Sequence, residues 1–296
     1  MNEAVKELES TATPLLDHLQ ELASRMKRIV ITLLIFTAFF MFFGPAYVPV
    51  SRTRVVIPLI GAYVVTRIPI VVPSFLNSFS TLALRYFISH EIPKGITVLN
   101  VSVFDPILSS MEVSLLFSVA VSMPVILVEL WKFIAPALYG HEKKQLKWMI
   151  IPAILLFIAG ASFAYFLVIP ILLDVVKLYM ISLGIQKTLS FRSVVTLIVG
   201  FLFTFGLAFE LPVVMVTLTK FNFVGADVWK ENWRMGILAS FIIALLISPG
   251  VTGGLIETVI GLTLSCLYFA GLFASQHVSQ RNTVTQQDKV EKEKPQ

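Results

Sequence analysis

Four glutamates stand among neighbours that make a carboxylate conspicuous. Glu210 is the one ionisable residue of FGLAFELPVVMV, Phe205 to Val216. Glu129 ends the apolar run PVILVELW, Glu21 lies four residues before Arg25 in LQELASR, and Glu142 sits in a short loop otherwise dominated by Lys143, Lys144 and Lys147. Such groups accept charge-assisted hydrogen bonds from guanidinium groups, or inside lipid they serve a proton relay. Bond-making chemistry finds no support. Cys266 is alone and His18, His90, His141 and His277 are scattered without ligand spacing, so no metal site or cofactor is expected. No phosphate-binding glycine loop and no nucleophile with a partnered base is present.

The elements that must position these acids are written in composition. Hydrophobic residues make up 56% of the 296-residue chain and charged residues 14%, which points to an all-α integral membrane protein. A span needs roughly 20 apolar residues. The candidates are Ile29 to Val50, Val113 to Tyr139, Trp148 to Val176, Val194 to Thr219, Gly236 to Ile247 and Leu255 to Phe273. The segment Val55 to Phe75 is apolar enough to compete as a seventh span, but it carries Pro58, Pro69, Pro73 and Arg67. With six spans and the N-terminus inside, 15 Lys and Arg fall on inner segments and 8 on outer ones. A seventh span would move the Lys143, Lys144, Lys147 cluster outside. Six spans with both termini cytoplasmic are therefore expected, with Val55 to Phe75 as an interfacial cap or re-entrant segment in a long outer loop, residues 44–111. The basic balance reads as membrane topology and not as nucleic-acid binding, and no cleavable signal is expected ahead of the first span.

Local features refine this. In TPLLDHLQELASRMKR, Leu15, Leu19, Leu22 and Met26 form an apolar stripe, with Thr13 and Pro14 as a helix start. His18, Glu21 and Arg25 share the face beside it, and Glu21 to Arg25 is a favourable i, i+4 pair. By spacing alone this is an amphipathic helix at the inner membrane surface, and the Glu142 loop is a solvated anchor flanked by Trp131, Tyr139 and Trp148. Pro124 lies within the second span, Pro136 bends its exit, and Pro212 removes the donor that would reach the Ala208 carbonyl. GILASFIIALLI is too short for an ordinary span. Residues 276–296 are polar and aperiodic and are expected to be a disordered cytoplasmic tail behind a membrane domain of residues 1–275.

HLQELASRM, PVILVELWKFIAPALYGHEKK, FIAGASFAYFLVIP and FGLAFELPVV resemble, in order and at the right separations from about Leu15 to Ala274, the TatC family of the twin-arginine protein translocase. The resemblance implies six helices in a cupped, glove-like arrangement, N-in and C-in, with short fifth and sixth helices. It implies a non-enzymatic receptor of the plasma membrane that binds twin-arginine signal peptides of folded precursors at the cytoplasmic face. It also implies recruitment of TatA/TatB-like single-span partners, self-association in a larger complex, and transport driven by the proton-motive force.

Carried over residue by residue, the resemblance places signal-peptide binding at Glu21, Glu142 and Phe133, with Arg25 and His18 on the same approach. Glu210 matches the intramembrane glutamate, for partner docking, with Glu129 as a second intramembrane polar residue; Pro124, Pro136 and Pro212 are structural. Ala23 stands where the family usually carries a second basic residue, and SPGVTGG lacks the outer aspartate of many members. With the resemblance set aside, Glu210 and Glu129 also suit a proton-coupled small-solute transporter. A purely structural scaffold is the third reading.

Overall fold

Between Leu15 and Phe42 no glycine or proline interrupts the chain, and in the computed structural model this stretch belongs to one helix, α1 (Asn2–Phe42). The structure describes residues 2–57, 61–134, 142–221, 223–248 and 254–292. The helix does not begin at Thr13 as the proline suggested. It starts eleven residues earlier, so the surface helix and the first span are one rod.

That rod ends at Phe42 and not at Val50, and here the all-α expectation fails. β1 (Phe43–Ile57) and β2 (Gly61–Pro73) pair antiparallel, with a register irregularity between Pro49 and Thr53. Both segments are rich in Val, Ile, Tyr and Thr, which favour the pleated backbone. In a two-stranded ribbon each strand keeps a free edge, where prolines that cannot donate are tolerated. Of the segment Val55 to Phe75, expected as an interfacial cap or re-entrant segment, the described residues end β1 and form β2 and are not a seventh helical span. The ribbon closes with Ser74 N–H donating to the Phe42 carbonyl at 2.8 Å. Gly44 lies so close to the Asn77 carbonyl that a Cβ would sit 1.8 Å from its oxygen. A further helix, α2 (Phe79–Glu91), follows within the long loop.

The chain divides into two compact units, Met1–His90 with Leu99–Ile134 and Ser190–Thr196, and Glu91–Val98 with Ala135–Leu189 and Leu197–Gln296. In the first, α1 packs along α3 (Asp105–Ile134). Serines recur at helical spacing on α3, where Ser110, Ser114, Ser118 and Ser122 are all buried; Ser110 meets Ser80 of α2 and Ser118 meets α1. Small side chains let helix backbones approach closely in an apolar setting, where little else drives them together. Ser118 Oγ donates to the Leu33 carbonyl at 2.7 Å, which fixes the register of the two helices. Phe39, Phe40, Phe43, Phe79 and Phe117 gather at the end where α1 gives way to the ribbon, with Phe40 and Phe117 rings 5.5 Å apart.

In the second unit α4 (Glu142–Phe163) runs through a π turn (Ala164–Val168) into α5 (Ile169–Ser182). Pro170 cannot donate to the Phe166 carbonyl, and the π turn immediately upstream absorbs that mismatch. The fourth expected span is two helices, α6 (Phe191–Ala208) and α7 (Leu211–Lys220), broken at Phe209 and Glu210 just ahead of Pro212. After the short α8 (Ala226–Glu231) comes α9 (Trp233–Ile247), whose 15 residues reach only about 22 Å, short of the ~30 Å hydrocarbon core.

The last helix, α10 (Leu255–Lys292), is 38 residues long, so it is not short, and the chain expected to be a disordered tail is helical through Lys292. No glycine or proline occurs between Leu272 and Lys294, and Gln, Lys and Glu are adequate helix formers even without an apolar face. Among the described residues four helical stretches are long and apolar enough to cross a membrane: Asp105–Leu130, Met149–Ser182, Phe191–Lys220 and Leu255–Gln280, with α9 as a shorter apolar helix.

Candidate functional site

Along α1, Glu21, Arg25 and Arg28 follow one another at helical spacing, and the Ser118 to Leu33 register brings them to the far end of α3. There Glu129 and Lys132 are one turn apart. Glu21 accepts from Nε and Nη2 of Arg25 through a single oxygen, Oε1, so the i, i+4 pair read from the sequence is present. The remaining arm of the fork, Nη1, reaches Glu129 Oε2 at 3.2 Å. Arg28 Nη1 lies 3.4 Å and Lys132 Nζ 3.6 Å from Glu129 Oε1.

Three cations thus meet two carboxylates, one positive charge in excess. The two acids differ in access: the Glu21 side chain is 40% exposed, that of Glu129 only 9%. Its hydrogen bond to Glu21, the largest influence on Arg25, raises that guanidinium's pKa further, so it is always charged.

Glu129 is therefore placed differently from its sequence grouping with Glu210. Its neighbours are cations contributed by α1 about a hundred residues away, together with Lys132 on its own helix. No periodicity argument could pair these segments. The signal that was available is the serine repeat on α3, a polar stripe in an otherwise apolar helix, which marks the face that meets another helix. Arg28 and Lys132 were not singled out by sequence reasoning, although each follows a site residue by three positions.

Glu210 sits at the helix break. Its N–H donates to the Leu207 carbonyl at 3.0 Å and its own carbonyl accepts from Val214 at 2.9 Å, while the carboxylate is buried with neither oxygen hydrogen-bonded among the described residues. The break is held from one side by α4. A Cβ on Gly160 would lie 2.3 Å from the Phe205 carbonyl oxygen and 2.8 Å from the Phe209 ring, so the two helices touch backbone to backbone there. From the other side α7 packs on α10, around Met215, Tyr268 and Leu272. Tyr268 OH donates to the Trp229 carbonyl at 2.8 Å, and Trp229 Nε1 donates to Thr219 Oγ1 at 3.0 Å, which ties α8 to this pair.

Pro124 lies inside α3 and Pro212 in the first turn of α7. Pro136 and the side chains of His18, Phe133 and Glu142 lie outside the described residues; the backbone places Phe133 in the last turn of α3 and Glu142 at the start of α4. Among the described residues no group of His, Cys, Asp and Glu could hold a metal ion.

Long apolar helices, an ion-paired cluster where α1 meets α3, and a carboxylate buried at a helix break define a multi-pass helical membrane protein. Residues 17–256 match the family model for the Sec-independent protein translocase protein (TatC), and the chain belongs to that family. A TatC of Cenarchaeum symbiosum is 29% identical over 259 residues, 88% of this chain and 93% of its own. That of Escherichia coli K12 is 27% identical over 186 residues, 63% and 71% of the two chains. A crystal structure of the twin arginine translocase receptor TatC superposes with a TM-score of 0.64 at 25% identity, over 88% of this chain and 99% of that one.

Proposed function

We propose that this chain is the receptor of a twin-arginine translocase. It binds twin-arginine signal peptides of folded precursors at the cytoplasmic face of a prokaryotic plasma membrane and nucleates assembly with TatA/TatB-like single-span partners. It self-associates, and it performs no bond chemistry; the proton-motive force drives transport. In this reading six helices cross the bilayer and both termini are cytoplasmic, with α1 supplying the first span.

The observation that carries the reading is Glu21: a carboxylate 40% exposed, already accepting a guanidinium, on the helix that leads into the membrane. Adjacent arginines call for such acceptors, because the planar fork donates in directions that a carboxylate can receive. Glu142 is the second carboxylate and Phe133 offers a ring for stacking or for the apolar part of the signal. Glu210, buried with no hydrogen-bond partner among the described residues at a helix break, is where a partner helix supplies the missing hydrogen bond. The transporter reading loses a member of its relay, since Glu129 is the counter-ion of three cations.

The test is binding of a labelled signal peptide to the purified protein. Glu21→Gln and Glu142→Gln should each weaken a twin-arginine peptide about tenfold, the cost of one charged hydrogen bond, and change a twin-lysine peptide less. Full affinity in both variants would remove these carboxylates from the site.

A further inference from the structure

Arg25 presents a difficulty for any arginine arriving from outside, because it already occupies the carboxylate the newcomer needs. Its fork is divided, with Nε and Nη2 on Glu21 Oε1 and Nη1 at 3.2 Å from Glu129 Oε2. We propose that Arg25 is an internal occupant of Glu21 and that Glu129 is the second seat to which it withdraws when a precursor's arginine arrives. Glu129 is then a positioning residue for recognition that never touches the signal. The inference rests on the receptor reading above.

Three observations carry it. First, access separates the two seats: a guanidinium from solvent can reach Glu21, 40% exposed, and not Glu129, 9% exposed. The exchange therefore has one direction, newcomer to the outer seat and resident to the inner. Second, the resident already holds both seats, so withdrawal needs only a turn of the guanidinium and no movement of α1. Five donors on a rigid fork allow this double hold, which a lysine's single nitrogen would make far less readily. Third, the exchange leaves each of the two guanidiniums facing a carboxylate. Arg25 gives up Glu21 and keeps Glu129, while the newcomer gains Glu21. Without Glu129 the displaced Arg25 would be a poorly solvated cation, 16% exposed, with no counter-charge, and that is a heavy penalty.

The measurement is the dissociation constant of a fluorescent twin-arginine signal peptide for the full-length protein in detergent. Glu129→Gln should weaken binding about tenfold, since Arg25 is then confined to Glu21. Adding Arg25→Met to Glu129→Gln should restore affinity to within about threefold of the parent, because the competitor has gone. Adding Arg28→Met instead restores the same net charge but removes a residue with no contact to Glu21, and should not rescue. Equal rescue by both would reduce the effect to local field and overturn the proposal, as would rescue by neither. Arg25→Met alone should bind at least as tightly as the parent and associate faster, a readout that stands even if Glu129→Gln does not fold. Binding weakened tenfold or more by Arg25→Met alone would make Arg25 a ligand of the signal and also overturn it. Failure of the underlying reading looks different: Glu21→Gln would then bind at full affinity.

Discussion

Gly160→Ala adds one methyl group where α4 meets the end of α6. Its Cβ would stand 2.3 Å from the Phe205 carbonyl oxygen and 2.8 Å from Cγ of Phe209. Ordinary contact requires the helices to part by about 1 Å, and backbone cannot rotate aside as a side chain can. Overpacking of this kind costs about 1–3 kcal/mol, partly offset by the ~1 kcal/mol by which alanine outscores glycine within a helix. Gly200→Ala, on the same α6, meets no atom of another element within 4 Å among the described residues, so it keeps the propensity gain without overpacking. The two variants should therefore move in opposite directions when thermal unfolding is followed in one detergent, with a gap on the order of 5 °C. Because Phe205 and Phe209 lead directly into the break, Gly160→Ala should also reduce crosslinking of single-span partners near Glu210. Equal melting temperatures for the two variants would refute the close approach of α4 and α6.

Glu210→Ala should keep signal-peptide affinity and impair partner crosslinking and export, with Glu210→Gln milder because the amide still donates and accepts; Gln as damaging to export as Ala, with docking intact, would favour a protonation step. Ser118→Leu should cost about 1–3 kcal/mol by forcing α1 from α3 and should weaken signal-peptide binding by misplacing Arg25 relative to Glu129, whereas Ser118→Ala forfeits only a hydrogen bond, about 0.5–1.5 kcal/mol. In sealed vesicles of a Cys266→Ala background, Arg85→Cys and Lys144→Cys should label from opposite sides, and labelling from one side would discard the six-span topology.

Hydropathy located the long helices because burying or exposing twenty apolar residues dominates every local preference, and Pro212 announced the break at Glu210 because a missing donor acts on the turn that contains it. The shortness of α9 was legible for the same reason. The ribbon was hidden by the measure that revealed the spans: Val and Ile score alike as membrane helix and as strand, and only their β-branching, with prolines spaced along both strands, distinguished residues 43–73. Pro14 and the polar tail misled in the other direction, since a helix anchored at one end can continue through a proline or a polar stretch. Least legible was the pairing of Arg25 with Glu129. The i, i+4 partner of Arg25 could be read off a helical wheel, but its other partner, 104 residues away, depends on the register that Ser118 sets against Leu33.

From Glu21 to Phe42 the rod of α1 contains neither glycine nor proline, and it passes without a connecting loop into the first strand of the ribbon. Its length over that stretch is roughly 33 Å, the thickness of a bilayer's hydrocarbon core. A stiff lever of that length has no joint at which a tilt can be absorbed. In the six-span topology proposed above, the Glu21 end and the base of the ribbon are the two ends of one unjointed element, so a variant that tilted α1 at either end would be felt at the other.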